Sequence, residues 1–138
     1  MRWDDLNVIH LYEKGKGAPT ADILIGGDFC PLRNYETRLL RGDRIFSDSL
    51  SRLFHQHDFT LVNLEAPLCA PVLPTMSRLG FGLRCDPRIA KTLKALGIDA
   101  VGLANNHILD YRAEGLFQTM KTLEQASLLH AGAGRNLG

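Results

Sequence analysis

The sequence predicts an α/β domain with mostly parallel strands under covering helices, and three observations carry that prediction. Apolar runs of strand length recur at 22–27, 59–62 and 101–103. Segments with helical spacing of apolar residues follow the runs, which is the alternation of a parallel sheet with crossover helices. Each run ends in polar residues: Asp28, then Asn63-Leu64-Glu65, then Ala104-Asn105-Asn106-His107 with Asp110 close behind. Strand ends that open at one sheet edge are where α/β proteins place their chemistry.

Taken in order, residues 1–20 lack periodicity and carry Lys14-Gly15-Lys16-Gly17-Ala18-Pro19, so they read as an approach segment with one edge strand at 8–11. The rest, 21–138, reads as a single domain. After the first strand, Ser47, Asp48 or Ser49 caps a helix whose inward face is Leu50, Leu53 and Phe54 and which ends near His57. The second strand follows. The stretch 69–83, with Pro71, Pro74, Gly80 and Gly82, is longer than a routine connection and is expected to overhang the site. Asp86-Pro87 then supplies a cap with proline at the first helical position; Ile89, Leu93 and Leu96 share a face, and Gly97 closes that helix. Beyond the third strand Asp110 reads as the cap of a helix over 113–126 with the stripe Leu116, Phe117, Met120 and Leu123. Residues 128–131 read as a short strand before Gly132-Ala133-Gly134. The alternation predicts another helix after Gly138, and an unpaired edge after Ala131 predicts marginal stability or an oligomer.

Sixteen basic against fifteen acidic residues leave a net charge of +1, so no overall field argues for nucleic acid or an anionic membrane as partner. Any charged substrate must be recognised locally. Cys30, Cys69 and Cys85 match neither a zinc-finger spacing nor a disulfide framework, and reduced thiols are expected. Acidic residues near Met1 and the lack of an apolar run argue against a leader or a membrane segment in this sequence, so a soluble, cytoplasmic protein is expected.

Carboxylates, an amide and an imidazole converging from several strand ends are what a divalent metal requires. On that reading Asp28 is a first ligand, Glu65 bridges two ions, and Asn106 offers its amide oxygen. His107 is the catalytic residue, either stabilising charge or protonating the leaving oxygen. Two ions about 3.5–4 Å apart would activate water and neutralise phosphoryl oxygens.

Residues 22–28, 58–68, 83–95, 97–111 and 115–136, above all Asn63-Leu64-Glu65 and Ala104-Asn105-Asn106-His107 with Asp110, resemble the N-terminal half of the CapA family. These are bacterial capsule-synthesis and poly-γ-glutamate-synthesis proteins of the calcineurin-like metallophosphoesterase superfamily. The resemblance implies a layered α/β/β/α sandwich, present here as its N-terminal part. It also implies a dinuclear site for manganese, iron or zinc, with Asp28, Glu65 and Asn106 as metal ligands and His107 beside them. The substrate would be a small molecule or a polymer. Related enzymes carry Asp-x-His at the first position, where this chain has Asp28-Phe29-Cys30, and a glycine where it has Arg112. Later histidine-bearing motifs have no counterpart, so the ligand set is incomplete. A catalytically inactive scaffold that binds a polymer or a partner is the alternative, and a C-terminal half supplied elsewhere would complete the site.

Other features have plainer readings. Asn63 is a structural hydrogen-bonder. His55 and His57 sit at a helix end, where residues two apart diverge. His10 and His130 are surface or edge residues, and Cys30 is a packing residue. Arg41-Gly42-Asp43 is a polar turn. Gly132 and Gly134 lack the third glycine of a dinucleotide loop.

Overall fold

A computed structural model of the chain describes residues 21–76 and 82–136. Their elements run β1 (Ile23–Phe29), α1 (Asn34–Arg41), α2 (Asp48–Gln56), β2 (Phe59–Leu64), α3 (Ile89–Ala95), β3 (Ala100–Gly102), α4 (Arg112–Gln125) and β4 (Leu129–Ala131). The four strands form one parallel sheet in the order β1-β2-β3-β4. The α/β class with parallel strands and helices is therefore as the sequence predicts. The edge strand expected at 8–11 lies outside the described residues.

Sheet order decides where the helices go. Crossovers between parallel strands are right-handed, and an order without reversal sends every crossover to the same face. The core matches: Val62, Leu64 and Val101 from the sheet pack with Leu39 of α1, Ile89 and Leu93 of α3, and Leu116 and Leu123 of α4. In register, Ile25, Leu61, Ala100 and Leu129 occupy the opposite face.

Local chemistry sets the helix ends. Ser47 accepts from the Leu50 N–H at 3.2 Å and starts α2 as expected. Asp86 accepts from the Arg88 N–H at 2.8 Å and is bonded by the Arg88 guanidinium, which holds its carboxyl below the usual carboxylate range. The helix begins later than Asp86-Pro87 predicts: Pro87 and Arg88 form a turn, and Arg88 holds the cap position of α3 without a side-chain bond. Leu96 caps α3, and Gly97, at φ 87°, turns the chain toward β3.

The sequence did not announce α1. Its N-terminal neighbour Arg33 has φ 56° and gives no side-chain cap, and Leu39 is its one buried residue. Its end is better marked: Gly42 adopts the left-handed conformation, with Gly42 N–H bonding Leu39 O and Asp43 N–H bonding Arg38 O. The tripeptide at 41–43 is thus a helix terminus.

The start of α4 also differs from expectation. Tyr111 occupies the cap position without a side-chain bond, and Arg112 begins the helix at φ 58°. Asp110 is not the cap; its carboxylate turns toward His107 and Leu83. An aspartate before a helix can satisfy either its own helix or donors outside it, and here the His107 ring and the Leu83 N–H win.

Candidate functional site

Asp28 and Asn63 are register partners near the C-terminal ends of β1 and β2, after an irregularity in β1 between Ile25 and Asp28. Asn63 carries the geometry of the site. Its Nδ2 donates to Asp28 Oδ1 at 2.7 Å and to Glu65 Oε2 at 2.5 Å. Its Oδ1 accepts from Asn105 Nδ2 at 3.1 Å. The Asn105 amide also donates to Leu64 O at 2.9 Å and accepts the His107 N–H at 3.0 Å. Each amide orientation follows from its neighbours: carboxylates only accept and a backbone N–H only donates.

His107 lies at the other end of this chain of bonds. Its Nδ1 is 2.9 Å from Asp110 Oδ2, and its Nε2 is 3.9 Å from Glu65 Oε1. An ionised carboxylate accepts, so Nδ1 carries the hydrogen and Nε2 is the atom facing Glu65. Asp110 does more than orient the ring. Oδ2 also accepts the Leu83 N–H at 2.8 Å, and its backbone carbonyl accepts the Met76 N–H at 2.7 Å and the Thr75 hydroxyl at 3.0 Å. Both described ends of the 69–83 stretch are therefore fastened to the residue that holds the imidazole.

Of the sequence-predicted residues, the structure brings Asp28, Glu65 and His107 into one connected group. Asn106 is exposed and lines a neighbouring cleft of about 640 Å³ on the β3 and β4 side, with Leu103, Asn105, Phe117 and Arg135 among its walls. The Arg135 guanidinium stands 4.4 Å over the Phe117 ring. Asn105 is the amide that sequence reasoning passed over; in a double Asn only the backbone path decides which side chain turns inward. Asn63 has the hydrogen-bonding role expected of it. His57 Nδ1 lies 2.9 Å from Asp22 Oδ2 but off the line of a hydrogen bond, and His130 lies 3.7 Å from Glu124. Both are remote from the group around Asn63.

Electrostatically, Asp28 and Glu65 form a close acidic pair with no Lys or Arg ion partner among the described residues. Burial, with Glu65 and Asp28 nearby, pushes the Cys30 thiol above its ordinary value. Cys30 is thus a neutral neighbour of the pair. The donor chemistry of two oxygen ligands and an adjacent imidazole fits a divalent ion in part. Among the described residues no three His, Cys, Asp or Glu side chains close into a cage.

Comparison with known proteins gives a family and several relatives. The family model described as bacterial capsule synthesis protein PGA_cap matches residues 22–138. A capsule biosynthesis protein CapA of Bacillus anthracis is 44% identical over 54 residues, 39% of this chain and 13% of that protein. A probable polyglutamine synthesis accessory protein of Mycobacterium tuberculosis is 36% identical over 80 residues, 58% of this chain and 21% of its own length. An uncharacterised protein of Sinorhizobium fredii is 42% identical over 50 residues, 36% of this chain and 11% of that protein. The chain thus covers between about a tenth and a fifth of the length of these curated relatives.

Proposed function

The chain belongs to the bacterial capsule synthesis protein family PGA_cap, and on that premise we propose that it contributes the Asp28–Glu65–His107 part of a metal-dependent hydrolytic site used in making a capsule or poly-γ-glutamate polymer. The observation that carries this reading is the acidic pair held on one amide without a Lys or Arg ion partner among the described residues. Two like charges so placed repel each other and favour a bound cation.

Asp28 and Glu65 would hold a divalent manganese, iron or zinc ion, whereas Asn106, exposed on the neighbouring cleft, stands outside their group. When bound, such an ion supplies charge neutralisation and an activated water. The residues of the chain do the rest. Asn63 fixes the separation of the two carboxylates. Asp110 accepts a hydrogen bond from the Nδ1–H of His107 and leaves Nε2 directed to the acidic pair, where it accepts a proton as the neutral ring and donates one to a substrate oxygen as the imidazolium. The cleft beside Asn105 and Asn106 offers room for a substrate chain, with Arg135 at its wall.

Equilibrium dialysis against Mn²⁺ or Zn²⁺ followed by metal analysis tests this reading. The expected result is a stoichiometric ion in the wild-type chain, lost in Asp28→Ala and Glu65→Ala and kept in His107→Ala. Phosphoester turnover, where present, is lost in all three. A second reading, a non-catalytic scaffold that binds a polymer or partner, is favoured by the absence of a three-donor cage among the described residues. A chain that retains no ion at all supports the scaffold.

A further inference from the structure

An aspartate in the turn before a helix ordinarily turns its carboxylate to the free N–H groups of that helix. Asp110 does not. Its Oδ2 accepts from His107 Nδ1 at 2.9 Å and from the Leu83 N–H at 2.8 Å, a donor 27 residues away in sequence. The residue before that donor is a glycine, and the space it leaves is what lets the two backbones meet. A Cβ at Gly82 would lie 2.9 Å from Asp110 Cβ, 2.9 Å from Thr75 Oγ1 and 3.2 Å from Asp110 Oδ2. Side chains do not approach so closely, so a methyl group there must displace Asp110 or Thr75. The same stretch grips Asp110 from the other side: the Thr75 hydroxyl, at 3.0 Å, and the Met76 N–H, at 2.7 Å, both donate to Asp110 O. Gly82 O in turn accepts the Tyr111 hydroxyl at 3.4 Å. The side chains of His107 and Asp110 are only 30% and 20% exposed, so water competes weakly for their bond.

We propose that Gly82 is a positioning residue for His107: it admits the Leu83 N–H to Asp110 Oδ2, and that bond keeps the carboxylate on Nδ1 and away from α4. The inference rests on the role given to His107 above and adds what sets the state of its ring. A free neutral histidine side chain prefers its hydrogen on Nε2. In a folded chain the tautomer follows the hydrogen bond made by the other nitrogen, and a carboxylate at Nδ1 fixes the hydrogen there. Nε2 then faces Glu65 as an acceptor. Without the Leu83 donor the Asp110 carboxylate has the N–H groups of its own helix within one turn, and the ring is released to its free preference. Gly82 touches no reacting atom. It acts through Asp110, and a wrongly placed hydrogen on a catalytic imidazole is costly even where the geometry is otherwise intact.

Long-range proton–nitrogen correlation spectra of the metal-free 138-residue chain, nitrogen-labelled at histidine, read the tautomer directly. They are recorded at about pH 8.5, above the ordinary imidazole range. His107→Gln identifies the His107 signals among those of the five histidines. In the wild type the Nδ1–H form should dominate. Gly82→Ala, with far-ultraviolet circular dichroism unchanged, should lower the ratio of Nδ1–H to Nε2–H at least about tenfold, the size of one lost hydrogen bond to a charged group. Val72→Ala, in the same stretch at an 85% exposed position, should leave the ratio as it is. A wild-type ring with its hydrogen on Nε2, a folded Gly82→Ala chain with the wild-type ratio, or an equal fall in Val72→Ala overturns the proposal. Amide exchange decides the matter where Gly82→Ala does not fold. The Leu83 N–H should then exchange at least about tenfold more slowly in the wild type than in Asp110→Ala, and equal rates overturn the proposal. Neither measurement involves an ion or turnover, so a chain that retains no metal defeats the functional reading and leaves these results standing.

Discussion

Asn63 joins two carboxylates through one NH₂ group, so its chemistry decides whether the acidic pair is tolerated. Replacing it by aspartate removes the only donor between them and adds a third negative charge of nearly the same shape. Asn63→Asp should cost up to about 1 kcal/mol in chelator, the scale of charge repulsion at a partly exposed site. Added Mn²⁺ should raise its melting temperature more than it raises that of the wild type; equal shifts would disconnect the pair from cation binding. Arg112 offers a simpler test. It holds φ 58° at the first position of α4, a region that costs a side-chain-bearing residue about 1–2 kcal/mol and glycine little. Arg112→Gly should therefore leave stability unchanged or raise it by up to about 1 kcal/mol in urea denaturation, whereas Arg112→Val should lower it. The glycine that the family resemblance leads one to expect at this position would have a backbone reason. What the sequence disclosed of the site was its membership by strand end: Asp28, Glu65 and His107 do meet. What it left open was orientation, because whether Asn105 or Asn106 turns inward, and whether Asp110 caps a helix or holds an imidazole, depends on hydrogen-bond partners more than twenty residues away, such as Asn63 and Leu83.

At the level of elements, helices with either a side-chain cap or a buried stripe were legible, and the one with neither was not. The Ser47 cap announced α2, and the buried stripes of Ile89 with Leu93 and of Leu116 with Leu123 announced α3 and α4. By contrast α1 has neither signal and buries only Leu39, so its existence rests on tertiary packing and on the Gly42 terminus. The α3 terminus is sterically fixed as well as conformationally strained. A Cβ at Gly97 would lie 2.6 Å from His55 Nδ1, and φ is 87°. Gly97→Ala should destabilise the chain by more than about 2 kcal/mol, combining an unfavourable φ with a clash that α2 must move to relieve. Thr119 secures the outer face of the same layer in a way that apolar periodicity could not reveal. Fully buried in α4, its hydroxyl accepts the Leu68 N–H at 2.9 Å and donates to Gly115 O at 2.8 Å. Thr119→Val keeps the shape and strands the Leu68 donor, for an expected loss of about 1–3 kcal/mol, whereas Thr119→Ser should lose less, since the hydroxyl remains. Urea titration of the two variants side by side separates the hydrogen bond from the methyl group.

For the whole molecule, the order of the sheet gathers α1, α3 and α4 into one core, and that shared core makes the thiols reporters of global opening. Cys85 belongs to the core cluster and Cys69 lies beside it, its N–H bonding Cys85 O at 3.1 Å; both are fully buried. Burial raises the Cys69 thiol to about 11, with Arg84 opposing, and raises Cys85 further, with Glu36 adding to the effect of burial. The thiolate is the reactive form, so at pH 8 these two groups are both inaccessible and protonated in the native state. Cys30 is half-buried and shifted less. Timed labelling with an aromatic disulfide reagent should therefore show one faster thiol and two at least about 100-fold slower. The slow pair should accelerate together with urea, following the same dependence as unfolding monitored by circular dichroism, because neither can be exposed without separating the sheet from α3 and α4. If Cys85 reacts at a urea-independent rate while Cys69 does not, the 82–88 segment opens by itself, and the core is divided between that segment and the sheet instead of shared by both.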